Sequence, residues 1–178
     1  SKTDMSNLRL LNETTVSSGV ASVSVTDVFS SNFDIYKITF TDMEIQSDSY
    51  TSMRFINSSG SIISASSYDN AELAMYSHTS FGELRGTNES SVENLNYLYP
   101  NSYDDGNGNT LYIFNPFNSS SYTFLLNQGT GMANGVALYN FKGIAVLKQT
   151  SSITGINLFR TGNINNIKIR TYGLRVDT

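Results

Sequence analysis

The segment Ala21-Ser-Val-Ser-Val-Thr26 alternates apolar and hydroxyl side chains at every step. The stretch Tyr36-Lys-Ile-Thr-Phe40 does the same with larger residues, so that its aromatic and aliphatic side chains share one side while Lys37 and Thr39 share the other. Successive side chains of a β-strand point to opposite faces of the sheet. This period of two therefore predicts strands with one buried face.

Other segments carry the same alternation, and clusters of Asn, Ser and Gly that favour turns separate them. The alternating sets are Met53/Phe55, Leu111/Ile113, Tyr122/Phe124/Leu126, Ala137/Tyr139/Phe141, Ile144/Val146, Ile156/Leu158 and Ile167/Ile169. Short strands at this spacing predict an all-β protein, an antiparallel β-sandwich of jelly-roll-like organisation with eight to ten strands.

Two regions depart from this pattern. Residues Tyr68 to Ser77 contain an Ala-Glu-Leu-Ala run, a composition that predicts one or two short helical turns. The Ser- and Asn-rich region from Thr79 to Asn109 shows no clear alternation and is predicted to form long surface loops. We interpret residues 1–7 as an N-terminal arm and residues 8–178 as a single domain.

The composition argues against several classes of function. The 178 residues include 27 Ser, 17 Thr and 20 Asn, but only 15% are charged. Cys is absent and His78 is the only histidine, so thiol chemistry and sites with two imidazoles are excluded, and no metal or cofactor is expected. A net charge of −4 and the lack of a long apolar run indicate neither nucleic-acid nor membrane binding.

The titratable residues do not indicate an enzyme. A nucleophilic Ser requires a base, and His78 is surrounded by small polar residues without a Gly-x-Ser-x-Gly turn, which favours an exposed loop histidine. A glycosidase requires two carboxylates that face each other, whereas the acidic residues here are scattered singly or lie in predicted turns. We therefore expect no catalytic residues.

The run Asp104-Asp-Gly-Asn-Gly-Asn109 allows two interpretations. Asp105, Asn107 and Asn109 stand at alternate positions, as ligands do in a calcium-binding loop. However, that motif requires Gly at its sixth position and Glu at its twelfth, where this chain has Thr110 and Pro116. The Asp-Gly and Asn-Gly pairs favour a tight turn instead.

An aromatic cluster with acidic neighbours is the best candidate for a binding site. Tyr97, Tyr99 and Tyr103 lie beside Asp104 and Asp105. Tyrosine offers an apolar face and a polar tip, so this mixture suits a protein partner or a stacked glycan. The alternation of Tyr97 and Tyr99 equally fits one face of a strand that covers the core, and these interpretations stay open.

Several segments, taken in order, resemble a domain of structural proteins from the virions of tailed bacteriophages, especially marine cyanophages. They are Leu8 to Val16, Ala21 to Val25, Phe33-Asp-Ile-Tyr-Lys-Ile-Thr-Phe40, Leu111-Tyr-Ile-Phe-Asn-Pro116, Ile153 to Phe159, Thr161-Gly-Asn-Ile164 and Ile167-Lys-Ile-Arg-Thr-Tyr-Gly-Leu174. The resemblance covers nearly the whole chain and implies no catalytic residues. Gly173 is expected at a bulge or a close approach of the backbone.

The resemblance implies a structural role without enzymatic activity. The expected location is the exterior of the phage particle, as a capsid decoration or head-fibre subunit. The alternative is a tail fibre or baseplate component that binds a receptor or carbohydrate. Other virion proteins are the expected partners, the expected assembly is a homotrimer by analogy with other phage appendages, and a host-surface glycan is a further ligand.

Overall fold

The computed structural model describes residues 7–100, 107–133 and 137–174, and none of these residues is helical. Tyr103, Asp104 and Asp105 lie outside the described residues. The described chain forms twelve strands, more than the eight to ten predicted. They are β1 (Leu8–Val16), β2 (Val20–Val25), β3 (Ile35–Ile45), β4 (Ser49–Asn57), β5 (Tyr68–Tyr76), β6 (Gly82–Glu89), β7 (Val92–Leu98), β8 (Gly108–Phe114), β9 (Thr123–Thr130), β10 (Met132–Ala133), β11 (Ala137–Leu147) and β12 (Ile153–Leu174).

All strand pairs are antiparallel, which confirms the predicted fold class. Sheet I has the order β6-β5-β11-β9-β8-β3 and continues through the second half of β12 to β1. Sheet II consists of β2, the first half of β12, β4 and β7. Because β7 packs onto β5, β9 and β11, the two sheets face each other as a sandwich.

Strand β12 belongs to both layers. Thr161-Gly-Asn163 is one of the clusters whose composition favours a turn, but the structure has one continuous strand that bends there. Gly162 has φ of +79°, a conformation that only glycine adopts readily, and the pairing register with β2 shifts between Phe159 and Ile164. This bend lets one strand pair with sheet II before it and sheet I after it.

The predicted alternation holds in the strands that build the core. Tyr36, Ile38 and Phe40 are buried, whereas Lys37 and Thr39 lie on the opposite face of β3. The buried Tyr36 hydroxyl donates to the carbonyl oxygen of Ser30 at 2.8 Å, and the Ser30 amide donates to the hydroxyl at 2.8 Å. This ring therefore fills the core and holds the loop before β3 without leaving a polar atom unsatisfied.

Gly173 lies at a close approach, as the sequence predicted. A Cβ atom at this position would lie 2.6 Å from the ring of Phe33, which is too close for any side chain. The glycine therefore allows the loop before β3 to close against the end of β12.

The helical turns predicted for Tyr68 to Ser77 are wrong, because these residues form β5. Every second side chain of β5 faces the core, where Tyr68, Asn70, Glu72 and Ala74 are buried. The strand pairs with β6 on one side and with β11 on the other. Hydrogen bonding along both edges overrides the helix propensity of the Ala-Glu-Leu-Ala run, since propensity is a weak preference of at most about 1 kcal/mol per residue.

The surface loops predicted between Thr79 and Asn109 are also wrong. This region contributes β6, β7 and the start of β8. Its inward side chains include Asn96 and Asn109, which are buried through hydrogen bonds rather than apolar contact. An alternation of apolar and polar residues therefore cannot reveal these strands.

Candidate functional site

Five tyrosines from four strands and one loop meet at one side of the sandwich, and we call them the tyrosine cluster. Its members are Tyr50, Tyr76, Tyr97, Tyr99 and Tyr139. Tyr97 of β7 is the central ring, with centroids 4.7 Å from Tyr50, 5.3 Å from Tyr99 and 5.8 Å from Tyr139. Tyr139 stacks on Tyr76 at 4.5 Å with an angle of 10° between the planes. The structure thus brings the predicted pair Tyr97 and Tyr99 together with three rings that are distant in sequence.

The tyrosine cluster has a buried base and an accessible rim. Tyr139 is buried beside the fully buried Phe141, and the two form a second small core with Ala74. Tyr50 is 41% exposed, and Tyr97 and Tyr99 are half-buried. The base of the cluster therefore packs as core, which is one of the alternatives left open by the sequence, while the rim leaves aromatic surface exposed.

Polar groups border the rim. The Tyr97 hydroxyl donates to Oδ2 of Asp48 at 3.0 Å. Burial raises the pKa of Tyr97, and the hydrogen bond to Asp48 raises this pKa further. Tyr97 therefore remains a neutral hydrogen-bond donor at physiological pH. Burial likewise raises the pKa of Tyr139, and its neighbour Tyr76 adds to that effect.

Arg160 of β12 is buried beneath the rim of the tyrosine cluster. Its guanidinium donates to the carbonyl oxygens of Ser47 and Ser49 at 3.2 and 2.7 Å, and to the hydroxyl of Thr51 at 3.2 Å. Burial lowers the pKa of Arg160 to about 10, so the side chain stays charged at neutral pH. Its Nε has no hydrogen-bond partner among the described residues. The guanidinium fixes the β3–β4 hairpin that carries Asp48.

Buried amides connect the two sheets near this site. Nδ2 of Asn109 donates to the carbonyl of Leu95 at 2.8 Å and to Oδ1 of Asn127 at 3.1 Å. Nδ2 of Asn96 donates to Oδ1 of Asn109 at 2.7 Å. Hydrogen bonds among buried amides hold their strands in a defined register, so this network orients β7 over β8 and β9.

Two of the asparagines in the run Asp104 to Asn109, which the sequence analysis compared with a calcium-binding loop, lie in the interior. Gly108 and Asn109 lie in β8, whereas the Asp105-Gly106 pair, on which the predicted tight turn also depended, lies outside the described residues. Oδ1 of Asn107 accepts the Met43 amide at 3.4 Å, and Nδ2 of Asn107 donates to the Met43 carbonyl at 2.7 Å. The amide oxygens of Asn107 and Asn109 thus take part in interior hydrogen bonds.

Two carboxylates from opposite sheets approach each other in the interior. Glu72 of β5 is 6% exposed and accepts a hydrogen bond from Nδ2 of Asn70 at 2.8 Å. Glu93 of β7 accepts bonds from Ser52, at 2.9 Å, and from Ser91. Burial raises the pKa of Glu72 to about 7, and the charge of Glu93 contributes. The space between this pair is too small for a water molecule, which does not suit a substrate.

The remaining candidates for chemistry lie apart. His78 is exposed beyond the end of β5, as predicted. The centroid of its ring lies 6.0 Å from that of Tyr76, and the two rings are nearly perpendicular. Among residues 7–100, 107–133 and 137–174, no group of three or more His, Cys, Asp or Glu side chains could hold a metal ion. No helix that could cross a membrane is found in the same part of the chain.

A second surface, which the sequence did not reveal, is the solvent-facing side of sheet I. The alternation predicted for Tyr122, Phe124 and Leu126 exists, but the buried side of β9 carries Thr123 and Leu125. Phe124 and Leu126 face outward and are 51% and 45% exposed. The period was therefore correct, but periodicity alone does not specify which face is covered.

Strand pairing aligns these side chains into two rows, the first across eight strands and the second across seven. The first row is Arg85, Ala71, Ile144, Leu126, Tyr112, Lys37, Tyr172 and Leu10, and the second is Asp69, Val146, Phe124, Phe114, Ile35, Leu174 and Leu8. Twelve of these fifteen residues are apolar or aromatic. Together with Leu73 in the adjacent row they form what we call the outer apolar face.

The outer apolar face surrounds a shallow groove. The groove has a volume of about 970 Å³ and is lined by Leu73, Leu126, Ile144 and Tyr112 together with the charged side chains of its rim. Exposed large apolar residues of the described chain are concentrated here. Those on the face are Leu8, Leu10, Leu73, Phe124, Leu126 and Ile144, while Tyr122 and Leu138 adjoin it, and only Tyr50, Ile62 and Phe81 lie elsewhere among the described residues.

Comparison with known proteins does not assign either surface. No family model and no curated protein matches the chain. Among solved structures, two complexes of a fructofuranosidase from Schwanniomyces occidentalis, with fructosylnystose and with fructosyl-erythritol, are similar at TM-scores of 0.29 and 0.28 and 11% identity. The alignments cover 95% of this chain but only 35% of those proteins. Similarity at this level carries no argument about function.

Proposed function

We propose that this chain is a structural protein without enzymatic activity, displayed on the exterior of a bacteriophage particle as a capsid decoration or head-fibre subunit. The observation that carries the proposal is the outer apolar face. Monomeric proteins rarely expose a contiguous apolar patch of more than a few hundred Å². A face with apolar side chains on seven of its eight strands is typical of a protein that is assembled with others.

The arrangement of the sequence motifs supports this proposal. The segments that resemble phage virion proteins are β1, β2, β3, β8 and both halves of β12. In the structure β12 pairs with β1, β2 and β3, and β3 pairs with β8. The motifs therefore form one continuous half of the sandwich. The neutral hydroxyls and amides of the surface also keep their hydrogen bonds at any ionic strength, unlike surface ion pairs.

The location can be tested directly with the phage whose genome carries this sequence. Gold-labelled antibodies against the purified chain are applied to intact particles and scored by electron microscopy as head, tail or unbound. We expect labelling of the head, at tens to hundreds of copies per particle by quantitative mass spectrometry. Preimmune antibodies on the same particles are the control. Particles that lack the chain would overturn the proposal, and labelling of the tail would select the fibre or baseplate alternative.

The tyrosine cluster supports a second candidate function, the binding of a host-surface glycan. Tyr50 and Tyr97 present aromatic surface beside the carboxylate of Asp48, a combination that suits stacking on a sugar ring with a hydrogen bond to its hydroxyls. A Tyr50→Ala variant should lose binding to polysaccharide from the host. Tyr122→Ala removes a tyrosine of similar exposure, 44% against 41%, at a distant surface and should retain binding. No binding by the parent chain would remove this candidate.

A further inference from the structure

The outer apolar face and its polar border together match the size of a stable protein interface. Strands are spaced about 4.8 Å apart and alternate residues about 6.8 Å along a strand, so the two apolar rows cover roughly 500 Å², and the adjacent row, which is polar except for Leu73, brings the area to roughly 700 Å². A typical specific interface buries about 800 Å² on each partner. At its centre, Ile144 is 60% exposed and its neighbours Phe124 and Leu126 about half exposed. Leaving the apolar rows in contact with water costs free energy, which a partner that covers them would recover.

The charges on the face are unlike those of the chain as a whole. Three basic residues, Lys37, Arg85 and Lys142, line the groove together with two acidic residues, the exposed Glu83 and the buried Glu72. Two further pairs on this face neutralise themselves, because Lys148 contacts Asp69 at 2.8 Å and Arg170 contacts Glu13 at 2.6 Å. The face is thus positive overall while the chain carries −4.

Because the whole chain carries −4 and this face is positive, the rest of the surface carries a larger negative charge than −4. Its charge is therefore complementary to that of the face. Asp42, Glu44 and Asp48, for example, are all exposed at the β3–β4 hairpin. Complementary potentials favour encounter of this face with the remaining surface of an identical chain.

The shape of the face restricts the geometry of such a contact. Two copies that met groove to groove would enclose an unfilled space, and the lost van der Waals contacts would weaken the interface. A protruding part of another copy can fill the groove. This contact is heterologous, since it joins two different surfaces, and heterologous contacts close into rings when the rotation between copies allows.

We infer that the outer apolar face binds a second copy of this chain in a head-to-tail contact. The inference rests on the proposed function, because a virion component is held beside many copies of itself. A trimer is the smallest ring that such a contact closes, and it agrees with the expectation from phage appendages.

The test compares two exposed isoleucines in the purified full-length chain. Ile144 lies at the centre of the face, and Ile62 is 45% exposed on the loop between β4 and β5. The masses of the wild type, Ile144→Glu and Ile62→Glu are measured by sedimentation equilibrium, and circular dichroism confirms that each variant is folded. We expect an oligomer for the wild type and for Ile62→Glu, and a 19.6 kDa monomer for Ile144→Glu.

Three results would overturn the inference. They are a monomeric wild type, an Ile144→Glu variant that retains the wild-type mass, and loss of assembly in both variants. If Ile144→Glu does not fold, Ile144→Thr keeps the β-branched side chain and should raise the dissociation constant at least tenfold. If the chain is monomeric in solution but is found in virions, another virion protein covers the face. In that case the inference would fail while the proposed function stands.

Discussion

The two halves of sheet I differ in the charge that they bury and in the exposure of their outward apolar side chains. In the half formed by β3, β8 and β12, the core positions are apolar, as for Ile38 and Leu111, and the outward positions include Lys37 and Thr39. In the half formed by β5, β9 and β11, polar residues such as Glu72 and Asn127 occupy inner positions while Leu126 and Ile144 face solvent. The comparison teaches that the second half buries a carboxylate on its inner side and leaves its outward apolar side chains more exposed than the half-buried Tyr112 and Phe114 of the first half.

The largest expected difference between the halves concerns truncation of a large apolar residue. Ile38→Ala removes a fully buried side chain and should lower the free energy of unfolding by about 3 kcal/mol through lost burial and a cavity. Leu126→Ala removes a side chain that is already 45% exposed and should cost less than about 1 kcal/mol in the monomer. Urea unfolding of both variants at low protein concentration measures these values. Equal losses would show that the outer face contributes to the fold itself.

The second test concerns packing inside the polar half. A Cβ atom on Gly143 would lie 2.9 Å from Cγ of Glu72 and 3.0 Å from the carbonyl oxygen of Ala71. Gly143→Ala should therefore destabilise the protein by about 2 kcal/mol, as overpacking does. Gly82→Ala is the matched control, because its Cβ would meet only ordinary contacts at 3.7 Å. A neutral Gly143→Ala, measured by thermal unfolding, would indicate that β5 and β11 have room to separate.

Glu72 makes the polar half sensitive to pH. Its pKa is about 7 in the folded protein against an ordinary value of 4.5. Between these values the folded state holds a proton that the unfolded state has released, so the free energy of unfolding should fall as pH rises from about 4.5 to 7. Glu72→Gln should remove this slope and add about 1–3 kcal/mol above pH 7. Urea unfolding from pH 4 to 8 measures both effects.

Glu83→Gln, on the exposed side of the neighbouring strand β6, is the control for this pH dependence. It should unfold with the same slope as the wild type. A Glu72→Gln variant that keeps the wild-type slope would assign the pH dependence to another group.

The smallest expected effect is at the tyrosine cluster. Tyr97→Phe keeps the ring and its contacts with Tyr50 but removes the hydrogen bond to Asp48. Because the bond is exposed, the loss of stability should be below about 1 kcal/mol. If the rim binds a glycan, calorimetric titration should show a larger loss in binding than in stability. A decrease of several kcal/mol in stability would identify Tyr97 as a core residue only.

Whether a strand could be predicted depended on the residues at its alternate positions. Wherever the core side of a strand is apolar, as in Tyr36, Ile38 and Phe40, alternation was sufficient to identify the strand. It failed for β5 because helix-forming residues occupy a strand held by two neighbours, and for β7 because Asn96 is buried through hydrogen bonds. The partner of Asn96 is Asn109, which comes from β8, so this hydrogen bond has no signature along the chain.

The tyrosine cluster was predictable only in part. Tyr97 and Tyr99 are neighbours in sequence, and their alternation marked them as candidates. Tyr50 of β4 lies opposite Tyr97 of β7 in the strand pairing, and Tyr139 of β11 contacts Tyr97 from the other sheet. The register of β4 against β7 and the packing of β7 on sheet I bring these rings together, and neither is encoded in a local pattern.

By itself the sequence determined that this is an all-β protein with antiparallel strands and a surface of neutral polar groups, since a period of two and the composition are local properties. Only the tertiary structure decided which side of each strand is covered. A strand with apolar residues at alternate positions has the same pattern whether they face the core or solvent, and the second sheet covers one side only. The outer apolar face exists because sheet II packs on the inner side of sheet I and leaves Phe124, Leu126 and Ile144 uncovered.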